Sequence, residues 1–304
     1  MTPPPVLVTR RIPSGVLARL EEACDVDLQD EPLSPEQLQE RVRGKHGLVC
    51  VLTDRIDESL LAAADALKVV ANIAVGYDNI DIAAAKARGV VVTNTPDVLT
   101  EATAELTWSL ILAAARRVTE GDRLVRRGGW KGWTLEFMLG TELRGKQLGI
   151  IGRGRIGRAV ADKAPAFGMT AKFARQDMSL DELLVSSDVI SINTSLRPDT
   201  RHLIDRRALM RMKRSAILVN TARGAIIDED ALAWALKERL LAAAALDVYE
   251  REPIVHEGML ALENVVLAPH LGSATRETRT AMIDLAVRNV IEVVHGRPPL
   301  TPVA

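Results

Sequence analysis

Arg223, His270 and the carboxylates Glu250 and Glu252 have the side-chain types for proton-coupled chemistry on an anionic substrate. Arg223 stands just after the apolar run Ala216–Asn220. Its guanidinium is permanently charged and can hold a carboxylate through two parallel hydrogen bonds. His270 follows the apolar run Val265–Leu267 and Pro269. An imidazole is the natural proton donor near neutral pH, and a carboxylate beside it favours the imidazolium and orients the ring. A lone histidine after a strand is more often structural. The company of an arginine and a carboxylate at other strand ends makes His270 a candidate acid.

A second constellation is local. The run Gln147–Ile151 passes directly into Gly152-Arg153-Gly154-Arg155-Ile156-Gly157, and a helical pattern, Arg158–Ala166, follows. Alone, GxGxxG says little; in the order strand, turn, helix it reads as a dinucleotide-binding turn. Gly152 permits the tight turn, Gly154 lets backbone N–H groups approach a pyrophosphate, and Gly157 lets the helix pack closely on the strand. The unpaired N–H groups of the helix start then attract the anion. The next strand, Met169–Phe173, should end beside the ribose 2′-position. Arg175 falls there, which favours NADP over NAD and leaves NAD possible.

These residues need a scaffold that brings strand ends together. Apolar runs at Val6–Thr9, Gly47–Leu52, Val69–Ile73 and Val90–Thr93 alternate with helical patterns at Ser14–Ala23, Ser34–Arg43 and Ile82–Arg88. A long helix is expected from Thr100 to Arg127, then a loop, Gly128–Gly145. The alternation resumes through Gln147–Ile151, Asp188–Asn193, Ala216–Asn220, Ala242–Asp247 and Val265–Leu267, and closes with a helix over Thr278–His295. Such alternation predicts α/β architecture with parallel sheets covered on both faces. Two doubly wound domains are expected, one of residues 1–98 with 278–304 and the other of residues 99–277. The ligands should lie in the cleft between them.

Bulk composition excludes several classes. Net charge is 39 − 40 = −1, without the basic bias of a nucleic-acid binder. Hydrophobic residues at 47% and charged residues at 26% suit a protein with substantial cores and a solvated surface. No run of about 18 apolar residues offers a membrane span, and the first ten residues do not read as a signal peptide. Cys24 and Cys50 lack metal-ligand spacing and read as buried free thiols, which points to a reducing cytoplasm. The five histidines are too scattered for a metal cluster, so no metal is expected.

Five motifs in order resemble the D-2-hydroxy acid dehydrogenases. Ala74-Val75-Gly76-Tyr77-Asp78-Asn79-Ile80-Asp81 resembles their substrate loop, and Asn94-Thr95-Pro96 through Thr103-Ala104-Glu105 their interdomain crossing. Asn220-Thr221-Ala222-Arg223-Gly224 resembles the motif of the catalytic arginine. Leu246–Pro253 and Pro269-His270-Leu271-Gly272-Ser273 resemble the motifs carrying the catalytic glutamate and histidine. The family's glutamate immediately precedes a proline, which selects Glu252 over Glu250. The resemblance implies a flavodoxin-like substrate domain and a Rossmann domain. It also implies an oxidoreductase that moves a hydride from NAD(P)H to a 2-keto acid. Arg223, Glu252 and His270 would be catalytic. Leu52, Thr53, Val75 and Gly76, with Arg223 and His270, would meet substrate. Thr103, Gly152, Arg153, Gly154, Arg155, Ile156, Gly157, Arg175, Thr194, Thr221, Ala222, Asp247, Gly272 and Ser273 would meet cofactor, Asp247 by accepting from the carboxamide.

The segment Gly128-Gly129-Trp130-Lys131-Gly132-Trp133 is similar to a loop of the glyoxylate/hydroxypyruvate reductases that reaches a partner subunit, so a homodimer is expected. A phosphoglycerate dehydrogenase without its regulatory domain, a dinucleotide-sensing corepressor and a paralogue that binds cofactor poorly are the rival readings. One departure stands out. Ser179-Leu180-Asp181-Glu182-Leu183-Leu184 follows Phe173 almost at once, where the family has a helix and a further short strand.

Overall fold

The computed structural model describes residues 2–303. The expected substrate domain begins at Met1 and ends at Ala304, and those two residues lie outside the described ones. The chain forms two compact units, Met1–Leu99 with Thr275–Ala304, and Thr100–Ala274. Among the described residues no helix is long and apolar enough to cross a membrane.

The first unit is a five-stranded parallel sheet of β1 (Pro5–Val8), β2 (Asp25–Leu28), β3 (Gly47–Cys50), β4 (Val69–Asn72) and β5 (Val91–Thr93), in the order β2-β1-β3-β4-β5. This is the flavodoxin-like order. β3 and β4 are buried along their whole length, as continuous apolar runs in a doubly covered parallel sheet should be. The helix Arg276–Val294 supplies part of that cover: a Cβ on Gly47 in β3 would stand 2.8 Å from Val290. β2 is a strand that the sequence pattern does not announce. Its residues, Asp-Val-Asp-Leu, form a half-buried edge where acidic side chains reach water.

The second unit has six parallel strands: β6 (Gln147–Ile151), β7 (Thr170–Phe173), β8 (Val189–Ile192), β9 (Ile217–Asn220), β10 (Ala243–Leu246) and β11 (Val265–Leu267). Their order is β11-β10-β9-β8-β6-β7. Both faces are cores. On β9, Ile217 and Val219 join one apolar cluster with Leu148 and Ile150, while Leu218 joins the other with Ile190 and Ile192. That alternation is the two-residue period of a strand buried on both sides.

The long helix expected over Thr100–Arg127 is two helices, Thr100–Ala115 and Val118–Arg126. Arg117 adopts left-handed backbone, φ 54°, between them. The Thr141 N–H takes the Ala115 carbonyl at 2.7 Å, and a Cβ on Gly140 would stand 2.4 Å from that oxygen. The returning chain thus occupies the acceptor that a continuous helix would have used.

β7 is the outer strand on its side, so among the described residues the third strand of the usual 3-2-1 half-sheet is absent. A tight turn joins β7 to the helix Leu180–Ser186. In it Asp177 N–H donates to the Phe173 carbonyl at 3.0 Å, and Phe173 N–H donates back to Asp177 Oδ2 at 2.7 Å. The carboxylate thereby satisfies an outward-facing N–H on an open sheet edge.

Candidate active site

The second unit collects its candidate residues at the carboxyl ends of one parallel sheet, where such sheets bind ligands. Gly152 follows β6, Thr194 follows β8, Thr221 to Arg223 follow β9, Asp247 follows β10, and His270 follows β11. The strand order reverses between β6 and β8. A Cβ on Gly152, φ 109°, would stand 2.6 Å from the Asn193 carbonyl and 2.7 Å from Thr194 N. The glycine is needed because two backbones cross there.

His270 Nδ1 lies 2.8 Å from Glu252 Oε2, each side chain about a quarter exposed at 26% and 27%. Burial opposes the charge on Glu252, but His270, the Tyr249 N–H at 3.1 Å and the charge of Arg223 together hold its carboxyl below the usual range. An ionised carboxylate only accepts, so Nδ1 carries the hydrogen and donates it. Nε2 has no hydrogen-bond partner among the described residues, which leaves it for a ligand.

The backbone around His270 is held under strain. Its φ is 56°, the left-handed region that favours glycine. Asp247 fixes it from three sides. The Asp247 carbonyl accepts from His270 N–H at 2.9 Å, Oδ1 from Leu271 N–H at 2.6 Å and Oδ2 from Gly272 N–H at 2.8 Å. Burial raises the Asp247 carboxyl above its usual value despite these donors.

Arg223 is set by β9. The buried Asn220 amide donates to the Arg223 carbonyl at 2.8 Å and accepts from Ala222 N–H at 3.0 Å. Arg223 Nη1 donates to the Ala222 carbonyl at 2.9 Å. A Cβ on Gly224 would stand 1.8 Å from the Tyr249 carbonyl carbon, so the arginine turn and the Glu252 loop touch backbone to backbone. Glu229, buried at the start of the helix Glu229–Lys237, accepts from Glu250 N–H at 2.7 Å and ties down the same loop. Its carboxyl is raised by burial.

Thr103, Thr107, Thr221, Asp247 and Gly272 also meet. Thr103 Oγ1 donates to the Gly272 carbonyl at 3.1 Å, Thr107 and Thr221 hydroxyls lie 2.9 Å apart, and a Cβ on Gly272 would stand 3.4 Å from Asp247 Oδ2. Ser273 is half-buried beside them in sequence. Ile156 packs its side chain against the core, and Arg153 and Arg155 are exposed.

The turn fits a dinucleotide. A Cβ on Gly157 would stand 2.0 Å from the Gly152 carbonyl oxygen, so only glycine lets the helix Arg155–Lys163 begin so close to β6. A Cβ on Gly154 would meet nothing within 4 Å; it points into open space that a pyrophosphate can fill. Asn193 Nδ2, at the same crossing, is a buried donor with no partner, the kind of group that a ligand satisfies.

The NAD binding domain of the D-isomer specific 2-hydroxyacid dehydrogenases matches residues 108–272. The chain belongs to that family. The dehydrogenase is 48% identical to a glyoxylate reductase of Aeropyrum pernix, over 98% of this chain and 95% of that protein. A protein of Thermus thermophilus shares its fold at a TM-score of 0.93 and 46% identity, covering 99% and 100% of the two chains. An NADPH-dependent glyoxylate/hydroxypyruvate reductase of Sinorhizobium meliloti, solved with NADP and malonate, superposes at 0.90 with 34% identity, covering 100% and 97%. The Aeropyrum alignment runs over 319 positions, at least 319 − 304 = 15 more than this dehydrogenase has residues. That accords with the short connection after β7.

In the first unit the dehydrogenase frames its expected substrate loop with asparagines. Asn72 Nδ2 donates to the Gly76 carbonyl at 2.9 Å, and Asn94 Nδ2 to the Val75 carbonyl at 2.8 Å. Among the described residues the N–H groups of Val75 and Gly76 have no acceptor. Leu52 is half-buried; Thr53 is exposed, accepts from Arg10 at 3.3 Å and precedes buried Asp54. Sequence reasoning missed Asn72 and Glu229. Glu229 reads in sequence as an ordinary first-turn acid, and Asn72 as the polar end of a strand.

Proposed function

We propose that this dehydrogenase reduces glyoxylate or hydroxypyruvate with NADPH to the corresponding D-2-hydroxy acid. The His270–Glu252 pair beside the charge of Arg223 carries the reading. Reduction of a 2-keto acid requires that the carboxylate be held, the carbonyl polarised and a proton delivered to the developing alkoxide. Arg223 holds the carboxylate through its guanidinium. In the first unit the family resemblance gives Leu52, Thr53 and the acceptor-free N–H groups of Val75 and Gly76 as the candidates to meet substrate. His270 polarises the ketone oxygen through Nε2–H and gives up that proton as the alkoxide forms. Glu252 stabilises the imidazolium and fixes the ring. The bound nicotinamide supplies the hydride. Gly152 to Gly157 receive the pyrophosphate, with Arg155 and Ile156 at the helix start. Thr194 lies on the adenine side, while Thr103, Thr221, Ala222, Gly272 and Ser273 lie toward the nicotinamide. Asp247 accepts from the carboxamide through lone pairs that Leu271 and Gly272 leave.

NADPH is favoured because Arg175 follows the end of β7, whereas Asp177, the acid of that turn, is turned back onto Phe173 N–H. The relatives' names support glyoxylate and hydroxypyruvate as substrates. A homodimer is favoured by the exposed apolar side chains Val118, Val125, Trp130, Trp133, Leu135 and Leu139, clustered in one stretch of the second unit. The two buried free cysteines suit the cytoplasm.

The deciding experiment measures reduction of a panel of 2-keto acids with NADH and NADPH, in the parent and in His270→Ala. Turnover should fall about a hundredfold or more in the variant while NADPH affinity holds. Near-normal turnover would remove His270 from the mechanism, and a parent inert toward both keto acids would remove the substrate assignment.

A further inference from the structure

Arg153 occupies the first variable position of the glycine turn, and its guanidinium carbon lies 5.7 Å from the centre of the Phe173 ring. Phe173 is the last residue of β7, in register with Ile150 of β6, and packs its ring against the sheet's apolar cluster. A cation over a ring face at this separation is attracted by the ring's electron density. The contact therefore brings Arg153 to the end of β7, the side where a Rossmann sheet meets the adenosine ribose 2′-position. Arg158 Nε donates to the Arg153 carbonyl at 3.3 Å and helps set the turn.

Three further observations bear on what Arg153 does there. First, among the described residues Arg153 pairs with no carboxylate, although it is exposed in a protein of nearly balanced charge. Second, Asp177 Oδ2 accepts from Phe173 N–H, which turns the acid of this turn back toward β7. Third, β7 is the edge of the sheet, so no further strand supplies groups on its outer side. The turn's other cation, Arg175, sits on left-handed backbone at φ 68° and also pairs with no carboxylate within ion-pair distance among the described residues. Its charge is felt by Asp199, which Arg197 already holds at 3.0 Å.

We infer that Arg153, laid on the Phe173 ring, is a 2′-phosphate ligand and the principal determinant of NADPH selectivity, with Arg175 in a secondary role. This rests on the NADPH reading above and deepens it. A guanidinium at the end of β7, with a second arginine two residues after Phe173, suits a doubly charged phosphate monoester. Arg153 contributes more because the ring already restrains it, so less side-chain freedom is lost on binding than for an arginine in an open turn.

The test is calorimetric and independent of turnover. Adenosine 2′,5′-bisphosphate and 5′-AMP are titrated into the full-length parent, Arg153→Ala, Arg175→Ala and Phe173→Leu. The parent should bind the bisphosphate at least about tenfold more tightly than AMP. Arg153→Ala should reduce that ratio about tenfold while AMP affinity stays within about twofold; Phe173→Leu should reduce it about threefold by freeing the arginine. An unchanged ratio in Arg153→Ala overturns the assignment. Equal losses for both nucleotides also overturn it, since Arg153 would then serve the adenine or the 5′-phosphate. A parent without preference refutes the NADPH reading itself. A parent preference abolished only by Arg175→Ala leaves that reading standing and removes Arg153 from it.

Discussion

Two glycines of the same turn should fail in opposite ways when changed to alanine. In Gly157→Ala the new methyl would stand 2.0 Å from the Gly152 carbonyl oxygen and 3.2 Å from its carbon. Ordinary contact between such atoms needs more than an ångström of extra room. The obstacle is backbone, so the helix Arg155–Lys163 must lift away from β6. Overpacking of this kind costs about 2 kcal/mol. For a unit of this size, that lowers the melting temperature by about 4–8 °C. Gly154 has φ −69° and ψ −174°, which alanine adopts, and its methyl would meet nothing within 4 Å. Alanine is a poorer helix N-cap than glycine, but it also restricts the unfolded chain, and the two effects offset each other. Gly154→Ala should therefore melt within about 2 °C of the parent. Its methyl instead fills the space left for the pyrophosphate, and affinity for NADPH should fall at least about tenfold, or about 1.4 kcal/mol. Thermal unfolding without ligand and NADPH fluorescence titration separate the two outcomes. Normal NADPH binding by Gly154→Ala, or a melting loss equal to that of Gly157→Ala, would refute the reasoning.

Arg223→Lys keeps the charge but loses the two-pronged donor, so substrate KM should rise and kcat fall, with kcat/KM down at least about tenfold in steady-state assays. Unchanged kinetics would place the carboxylate elsewhere. Glu252 is held below the ordinary glutamate value of 4.5, so its stabilising contribution is fully present above that value and is lost as pH falls through the lower folded one. The melting difference between the parent and Glu252→Gln should accordingly be widest near neutrality and shrink as pH falls below 4.5. Glu229→Ala strands the Glu250 N–H and should cost about 1–3 kcal/mol in denaturant unfolding and lower kcat by loosening Glu252, whereas Glu229→Gln keeps an acceptor and should retain most of both.

Much of the site was legible because its chemistry is local. Strand, glycine turn and helix are contiguous from Gln147 to Lys163, and the arginine and the histidine each follow an apolar run whose end the parallel sheet must expose. Periodicity was a weaker guide where surroundings override it. Asp25–Leu28 pairs with β1 as an edge strand despite its acidic residues, because an edge needs one covered face only. The Thr100–Arg127 stretch reads as one helix, yet it breaks where Thr141 takes the Ala115 carbonyl. Nothing within either segment signals so distant a partner.

The alternation of apolar and helical runs along the chain builds parallel sheets, and hence brings Gly152, Arg223, Asp247 and His270 out at strand ends. The sequence also supplies the residue types able to bind a carboxylate and donate a proton. How those residues are held depends on contacts that arise when the chain folds. Folding placed Asp247 beneath the strained backbone of His270, and Glu229 against the loop of Glu252. It made β7 an edge and set Arg153 on Phe173. These are contacts between segments well separated along the chain. They form only when crossovers bring separate strands into register, so the pairing itself is not written in either segment alone.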